Sequence, residues 1–182
     1  MTVPDQVVLI GPPGAGKSTT GARVARALGL EILDTDAMVE QRAGKPVADI
    51  FVEDGEPAFR ALELEATRSA LGTPGVVALG GGAPMQPAIA ELLADHKVVF
   101  LDVTIAHAAK RIGFDGSRPL LAVNPRAAWT KMMGERRPTY ERLGTVRVDT
   151  GDRTPEEIVD DVRAGLTGLT GPTAPARAAV PS

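Results

Sequence analysis

The sequence predicts an α/β domain in which helices cover both faces of a parallel sheet. Five short apolar runs, separated by segments of helical periodicity, indicate strands at Val7–Ile10, Glu31–Leu33, Val76–Leu79, Val98–Val103 and Val146–Val148. Several of these runs are apolar at consecutive positions, which is typical of strands that are buried on both faces. The regular alternation of strands and helices favours βαβ units. We therefore expect a three-layer α/β/α arrangement around five parallel strands.

Glycine and proline mark the ends of the predicted helices. Gly29 would close a helix over Lys17–Leu28, and Gly72 would close one that begins near Pro57. Prolines also fall just inside four predicted helix starts, where the missing N–H costs nothing: Pro57, Pro87, Pro125 and Pro155. Gly134 stands inside another predicted helix, where glycine is an unusual choice.

The composition and charge of the chain exclude several classes of function. The chain has 182 residues, of which 43% are hydrophobic and 24% charged, as expected for a soluble globular protein. A formal net charge of −3 argues against a general nucleic-acid-binding protein, which would carry a basic excess. The absence of cysteine excludes disulfides, thiolate zinc sites and thiol nucleophiles. It fits a reducing cytoplasm.

Residues 1–10 lack the basic and long apolar regions of a signal peptide, and no run approaches the length of a membrane span. We expect a cytoplasmic, monomeric protein with no membrane partner. One domain is predicted over residues 1–169, with a loop-like lid at about 113–124. From residue 170 to 182 the chain is rich in Gly, Pro, Ala, Thr and Ser, which predicts a disordered tail.

Residues 11–18, GPPGAGKS, match the phosphate-loop pattern G-x-x-x-x-G-K-[ST] between a predicted strand and a predicted helix. Such a loop turns backbone N–H groups toward phosphate oxygens and adds the positive end of the following helix. Lys17 would contact the β- and γ-phosphates of a nucleotide, and Ser18 would offer a hydroxyl to Mg²⁺. The predicted nucleotide-binding segment is Gly14, Ala15, Gly16, Lys17, Ser18 and Thr19. The alternative is a Gly/Pro-rich turn with no ligand.

Asp34-Thr35-Asp36 follows the second predicted strand. Ligands of open α/β sheets bind at the carboxyl ends of strands, so these carboxylates should lie beside the phosphate loop. Phosphoryl transfer uses carboxylates near Mg²⁺ and near the attacking hydroxyl. The alternative is an Asx-turn or a helix N-cap, for which Thr35 or Asp36 is suitable.

Three further motifs admit a structural or a functional interpretation. Arg60 and Glu63 have i, i+3 spacing, which by itself indicates a surface ion pair. Residues 80–82 are three glycines after the third strand, either a flexible strand exit or a place where backbone approaches a ligand. Arg118, in the predicted lid, is either a solvated loop residue or a cation that closes over phosphates. His96 and His107 are isolated, and we assign neither a catalytic role.

From about Val7 to Leu166 the motifs resemble, in order, those of the shikimate kinase family: the phosphate loop, D-T-D at 34–36, F-R-x-x-E at 59–63, G-G-G at 80–82, R-P-L-L at 118–121 and R-x-P-x-Y at 136–140. The resemblance implies a P-loop kinase fold with strand order 2-3-1-4-5. It places Asp36 on the acceptor hydroxyls and Asp34 near the magnesium, through water, and near the reacting hydroxyl. Arg60 and Arg136 would form a fork on the acceptor carboxylate.

The resemblance also implies that Gly80, Gly81 and Gly82 line the acceptor pocket. Arg118 would cover the phosphates, and Arg111 and Arg153 would lie near the adenine, whereas Arg137 is expected to be a solvated neighbour. No acidic residue follows the third strand, where many P-loop proteins carry one. Magnesium would then depend on Ser18, water and Asp34.

The implied activity is transfer of the γ-phosphoryl group of ATP to the 3-hydroxyl of shikimate, giving 3-phosphoshikimate and ADP on the route to aromatic amino acids. Its substrates are ATP and shikimate, its cofactor is Mg²⁺, and Lys17, Asp34 and Arg118 are the expected catalytic residues. Two alternatives remain open at this point. One is a related small-molecule kinase, acting for example on gluconate or AMP. The other is a non-catalytic nucleotide-sensing module.

Overall fold

The computed structural model describes residues 5–113 and 124–168 of the chain. Five parallel strands form one sheet in these residues: β1 Gln6–Ile10, β2 Ile32–Asp34, β3 Gly75–Ala78, β4 Val98–Asp102 and β5 Val146–Asp149. Their spatial order is β2-β3-β1-β4-β5, which confirms the order implied by the resemblance. Every strand lies within one residue of its predicted bounds.

Eight α-helices occur in the same described ranges: α1 Lys17–Leu28, α2 Thr35–Ala43, α3 Val47–Glu53, α4 Glu56–Leu71, α5 Pro87–Leu92, α6 Ile105–Ile112, α7 Pro125–Leu143 and α8 Pro155–Gly168. The connection from β1 to β2 runs toward one edge of the sheet, and the later connections run toward the other. Right-handed crossovers therefore place α1 on one face and α2 to α7 on the opposite face. Helix α1 packs on α8 and β3, while α4 contacts β3 and α7 contacts β4. The predicted three layers are confirmed.

The core is built from aliphatic side chains on the central strands. All four residues of β3 and all five of β4 are buried, as the continuous apolar runs predicted. In register, Val7 of β1 pairs with Val76 and Leu9 with Ala78 on one side, and Ile10 pairs with Phe100 on the other. Because the strands are parallel, their carboxyl ends all lie at the same edge of the sheet, and the loops that follow them meet there.

The predicted starts and ends of the helices are confirmed. Gly29 adopts the left-handed conformation with φ 68° and ends α1, and all four prolines lie in the first turn of their helices. Thr154 and Glu157 form the reciprocal capping box at the start of α8, each backbone N–H donating to the other residue's side chain.

Helix α7 contains a weak turn between Gly134 and Pro138. Proline has no N–H to donate to the carbonyl four residues earlier, which is that of Gly134, and its ring crowds the same carbonyl. A glycine at that position gives the backbone the freedom to adjust, although glycine itself lowers helix stability. The proline four residues later therefore explains the choice of glycine at position 134, which helix propensity alone does not explain.

A buried carboxylate joins α7 to the sheet. Asp102, the last residue of β4, accepts two hydrogen bonds from Arg137 of α7, at 2.9 Å and 2.8 Å. Arg147 of β5 also donates to Asp102, through Nη2 at 2.6 Å and Nε at 3.1 Å. Burial opposes ionisation of this carboxyl, but the hydrogen bonds from the two arginines outweigh it and hold the pKa of Asp102 below its ordinary value. The prediction that Arg137 is a solvated neighbour is therefore wrong.

Asp102→Asn should lower the free energy of unfolding at neutral pH by about 1–2 kcal/mol, because charged hydrogen bonds are lost from a partly screened site. A carboxyl with a lowered folded-state pKa stabilises the protein above its unfolded pKa, and this contribution disappears as pH falls through the folded-state value. The difference between wild type and variant should therefore be constant near neutrality and shrink below about pH 4. Urea unfolding across this pH range measures it, and a difference that grows toward acid pH would contradict the ion-pair interpretation.

Most of the predicted lid (residues 114–123), with Arg118, lies outside the described residues, as does the predicted tail at 170–182. Among the helices that are described, none has the length and apolar character needed to cross a membrane.

Candidate active site

Loops from several strands meet at the carboxyl edge of the sheet and enclose a cavity of about 400 Å³. Its lining combines the phosphate loop, the start of α1, the end of β2 and the end of α6. The lining residues are Gly14, Gly16, Lys17, Ser18, Thr19, Asp34, Asp36, Leu79, Arg111 and Ile112. Eight of these residues, all but Leu79 and Ile112, were predicted from sequence to belong to the site.

The phosphate loop has the backbone that its sequence predicts. Gly14 and Gly16 have φ of 84° and 83°, in the left-handed region that favours glycine, and Gly16 is the N-cap of α1. A Cβ atom at position 14 would also come within 3.0 Å of Ala108. The loop therefore turns sharply and directs the positive end of α1 into the cavity, which is the geometry that binds phosphate.

Lys17 is held against the loop it follows. Its Nζ donates to the carbonyl oxygens of Gly11 at 2.8 Å and Pro12 at 3.1 Å. Burial lowers the pKa of Lys17 to about 8, assisted by the positive charge of Arg136 and opposed by Asp36 and Asp34. A buried ammonium group whose charge is disfavoured by burial is suited to receive an anionic ligand.

The Asp34 carboxylate caps helix α2 and also contacts the phosphate loop. One carboxylate oxygen accepts hydrogen bonds from the backbone N–H groups of Asp36 and Ala37 and so caps α2. The other oxygen accepts a 2.5 Å hydrogen bond from the hydroxyl of Ser18. The N-cap interpretation of the tripeptide is thus confirmed, but the capping residue is Asp34 rather than Thr35 or Asp36. The cap fixes the carboxylate so that its second oxygen faces the phosphate loop.

Asp36 carries an unusual charge environment. Burial, and then the negative charges of Asp34 and Glu63, raise the pKa of Asp36 to about 6, although Lys17 acts in the opposite direction. A Cβ atom at Gly80 would lie 2.6 Å from Asp36 Oδ1. Asp36 therefore sits between the phosphate loop and the triple glycine, where it can accept hydrogen bonds from a hydroxylated ligand.

Arg60 forms the ion pair with Glu63 that its i, i+3 spacing predicts, but Glu63 is buried and the pair does not lie on the surface. Its Nη1 donates at 2.6 Å to Glu63, whose side chain is 1% exposed, and its Nε and Nη2 donate to Glu56 at 3.1 Å and 3.0 Å. Gln86 donates to the same Glu63 at 2.8 Å and to the Arg60 carbonyl at 3.3 Å. The described bonds use three of the N–H groups of the guanidinium, and an arginine has more donors than these. Among the described residues the remaining donors have no hydrogen-bond partner, so they can serve a ligand.

Each glycine of the triplet leaves room for a different polar group. A Cβ atom at Gly82 would come within 2.8 Å of Arg60 Nη1. At Gly81 it would lie 3.3 Å from Pro13 and 3.6 Å from Arg136 Nη1. Because Gly81 and Gly82 are consecutive, the guanidinium groups of Arg60 and Arg136 approach the same short stretch of backbone.

Helix α7 presents Arg136 toward this stretch. Four residues along the helix, the Tyr140 hydroxyl donates to the Gly81 carbonyl at 2.6 Å. Burial raises the pKa of Tyr140, and the positive charge of the neighbouring Arg136 opposes this rise. The triple glycine therefore lies between α4, which carries Arg60, and α7.

Arg111 links the phosphate loop to the loop that follows β5. It donates to the Gly14 carbonyl at 3.1 Å, to the Thr150 hydroxyl at 3.0 Å and to the carbonyls of Thr150 and Gly151. His107, one helical turn earlier, lies 2.8 Å from Asp152 of the same loop. Arg111 therefore joins α6 to both loops at the border of the cavity.

The described structure does not place two of the residues predicted to contact the nucleotide at the cavity. Arg153 pairs with Asp161 at 2.9 Å and Glu157 at 3.8 Å on α8 and does not line the cavity, so its contact with adenine stays a prediction. Arg118 lies outside the described residues. Ala15 belongs to the phosphate loop but its side chain is buried, so only its backbone can face a ligand.

Sequence reasoning missed four side chains that hold the site together. Thr35 is buried, and its hydroxyl accepts from Gly80 N and donates to the Ala78 carbonyl. The others are Gln86, Trp129, whose indole N–H donates to the Pro13 carbonyl at 3.0 Å, and Arg137. All four act through partners that are distant in sequence, so no local pattern reveals them. A polar residue at the centre of the D-T-D motif was the one available signal.

Within the described residues, no group of three His, Asp, Glu or Cys side chains is arranged to hold a metal. Ser18 and Asp34 nevertheless offer two hard oxygen atoms beside the phosphate loop. Mg²⁺ is commonly bound by one or two protein oxygens together with water and substrate phosphates. The donor set therefore fits Mg²⁺ that arrives with a nucleotide.

Comparison with known sequences agrees with this geometry. The family model described as shikimate kinase matches residues 13–167. A shikimate kinase of Thermobifida fusca is 56% identical over 154 residues, covering 84% of this chain and 90% of the relative. One from Rhodococcus jostii is 47% identical over 163 residues, covering 88% and 97% respectively.

Solved structures give the same result. A shikimate kinase from Acinetobacter baumannii, in complex with shikimate, superposes with a TM-score of 0.83 at 29% identity, covering 91% of this chain and 95% of that one. A gluconokinase from Sinorhizobium meliloti superposes with a TM-score of 0.61 at 20% identity, covering 93% and 95%, and shares the fold. The chain belongs to the shikimate kinase family of ATP-dependent phosphotransferases.

Proposed function

We propose that this chain transfers the γ-phosphoryl group of ATP to the 3-hydroxyl group of shikimate. The observation that carries the proposal is the approach of Arg60 and Arg136 to consecutive glycines of one backbone stretch, next to Asp36. Two guanidinium groups suit a carboxylate, and a carboxylate oxygen suits hydroxyl groups. A small polyhydroxy acid supplies both.

On the nucleotide side, the backbone N–H groups of residues 14–19 and the Lys17 ammonium would bind the phosphates. Arg111 and the loop at 150–153 would border the adenine. Arg118 is proposed to cover the phosphates and offset charge as the γ-phosphoryl group leaves. In this arrangement catalysis depends on positioning and electrostatics, with no covalent intermediate.

Ser18 and Asp34 would hold Mg²⁺, Asp34 through water. When bound, Mg²⁺ supplies positive charge to the β- and γ-phosphate oxygens. The chain's own contribution is to fix the two oxygens, since the α2 cap holds the Asp34 carboxylate and the carboxylate holds the Ser18 hydroxyl. The same carboxylate would lie near the reacting acceptor hydroxyl. The monomeric state, the cytoplasmic location and the domain limits stay predictions.

The test is ADP release with MgATP and each of four acceptors: shikimate, quinate, gluconate and AMP. Shikimate should give the highest kcat/KM, because it combines the carboxylate with a correctly placed hydroxyl. A higher kcat/KM with gluconate or AMP would assign the chain to another small-molecule kinase activity. Absence of ADP release with every acceptor, together with retained ATP binding, would favour the nucleotide-sensing alternative.

A further inference from the structure

The turn of α7 that carries Arg136 is intrinsically weak. It lies between Gly134 and Pro138, so it lacks the hydrogen bond that Pro138 would donate to the Gly134 carbonyl. Glycine in a helix also favours the unfolded backbone. A helix turn of this kind does not by itself hold an arginine in a fixed direction, and an external contact is needed to hold it.

Arg137 supplies such a contact immediately beside Arg136. Its guanidinium forms a two-point ion pair with Asp102, at 2.8 Å and 2.9 Å, and lies 5.9 Å from the centre of the Phe100 ring. Two parallel hydrogen bonds fix orientation as well as distance. Consecutive helix residues point about 100° apart. With Arg137 fixed on the sheet, Arg136 is directed to one side, toward the triple glycine.

The partner of Arg137 is itself rigid. Asp102 ends the fully buried strand β4, and its Oδ1 also accepts from the backbone N–H of Val103 at 2.8 Å. The ion pair therefore ties α7 to a fixed part of the sheet.

We propose that Arg137 is a positioning residue, whose ion pair with Asp102 fixes Arg136 for recognition of the acceptor carboxylate. The proposal rests on the carboxylate role of Arg136 in the proposed function. Tyr140 holds the following turn of the helix through Gly81, so Arg136 is bracketed by two anchors. Loss of the Arg137 anchor should leave the helix in place but allow Arg136 to move.

Arg137→Ala should raise the KM for shikimate roughly fivefold or more, because small displacements of a substrate-holding group are costly. The KM for ATP should change less than twofold. Arg137→Lys keeps the charge but not the two-point geometry and should give an intermediate KM, so it also tests the proposal if the alanine variant folds poorly. The matched control is Arg147→Ala, which removes the other arginine from the same carboxylate and should leave the KM for shikimate near wild type.

The decisive measurement repeats Arg137→Ala in an Arg136→Ala background. If Arg137 acts through Arg136, the second substitution should have little further effect on the KM for shikimate. An equal rise in KM in both backgrounds, or an equal rise in Arg147→Ala, would overturn the positioning role. A normal KM in Arg136→Ala itself would instead refute the carboxylate role, and with it the premise of this inference.

Discussion

Lys17→Met should reduce kcat by about 10³-fold or more while the protein stays folded. The proposed role of Lys17 is to offset charge on the transferring phosphoryl group, and loss of such a cation is expected to cost this much. The loop does not need the side chain to form, because Gly14 and Gly16 set its backbone. Steady-state kinetics with MgATP and shikimate measure the effect. Lys131→Met, at an exposed position of α7, is the control.

The stability of this variant follows from two opposing changes. Two hydrogen bonds from Nζ to loop carbonyls are lost. Burial, however, lowers the pKa of Lys17 to about 8, so at neutral pH the folded protein carries a charge that is less favourable there than in the unfolded chain. Methionine removes that unfavourable charge, and the melting temperature should stay close to wild type. Activity near wild type would exclude the phosphate-loop mechanism.

Arg60→Ala and Arg136→Ala should each weaken shikimate binding by about 1.5–3 kcal/mol, the usual loss for a hydrogen bond to a charged group. The affinity for ATP should hardly change, because both arginines approach the triple glycine and neither lines the cavity beside the phosphate loop. Binding isotherms for shikimate and for an ATP analogue measure both quantities. Arg42→Ala, which removes an exposed arginine paired with Glu65, is the matched control.

A neutral amide analogue of shikimate makes this prediction specific to the carboxylate. Wild type should bind the amide poorly, whereas each arginine variant should lose much less on changing from acid to amide. That non-additivity is the signature of a direct contact. If one variant loses the same affinity with the acid and the amide, its arginine does not hold the carboxylate. If both variants do so, the chain is still a phosphotransferase, but the two arginines no longer explain why its acceptor should be an acid.

The fold could be predicted because its signals are local. Each strand is a continuous apolar run between turn residues, and each lies within one residue of its predicted bounds. The phosphate loop and the glycine and proline helix ends depend on backbone conformations that few residues adopt, so the sequence indicates them directly. Strand order is not local, and it came from the resemblance alone.

The connections between site elements could not be predicted, because they join residues far apart in the chain. Arg137 was expected to be solvated, yet Asp102, thirty-five positions earlier, binds its guanidinium. The Arg60–Glu63 spacing indicated a surface pair, but tertiary packing buries Glu63 and adds Gln86. In both cases the charged side chains are evident from the sequence. Their burial, which makes the ion pair part of the structure around the site, is not.

The chain has a single tryptophan, and it reports on the phosphate loop. The indole of Trp129 is 7% exposed and donates its N–H to the carbonyl of Pro13. Indole emission depends on hydrogen bonding and on nearby charge, so movement of the loop on nucleotide binding should change the emission of this fluorophore. Nucleotide titrations can therefore follow ultraviolet-excited fluorescence without an attached dye, and stopped-flow mixing can separate ATP binding from the acceptor step.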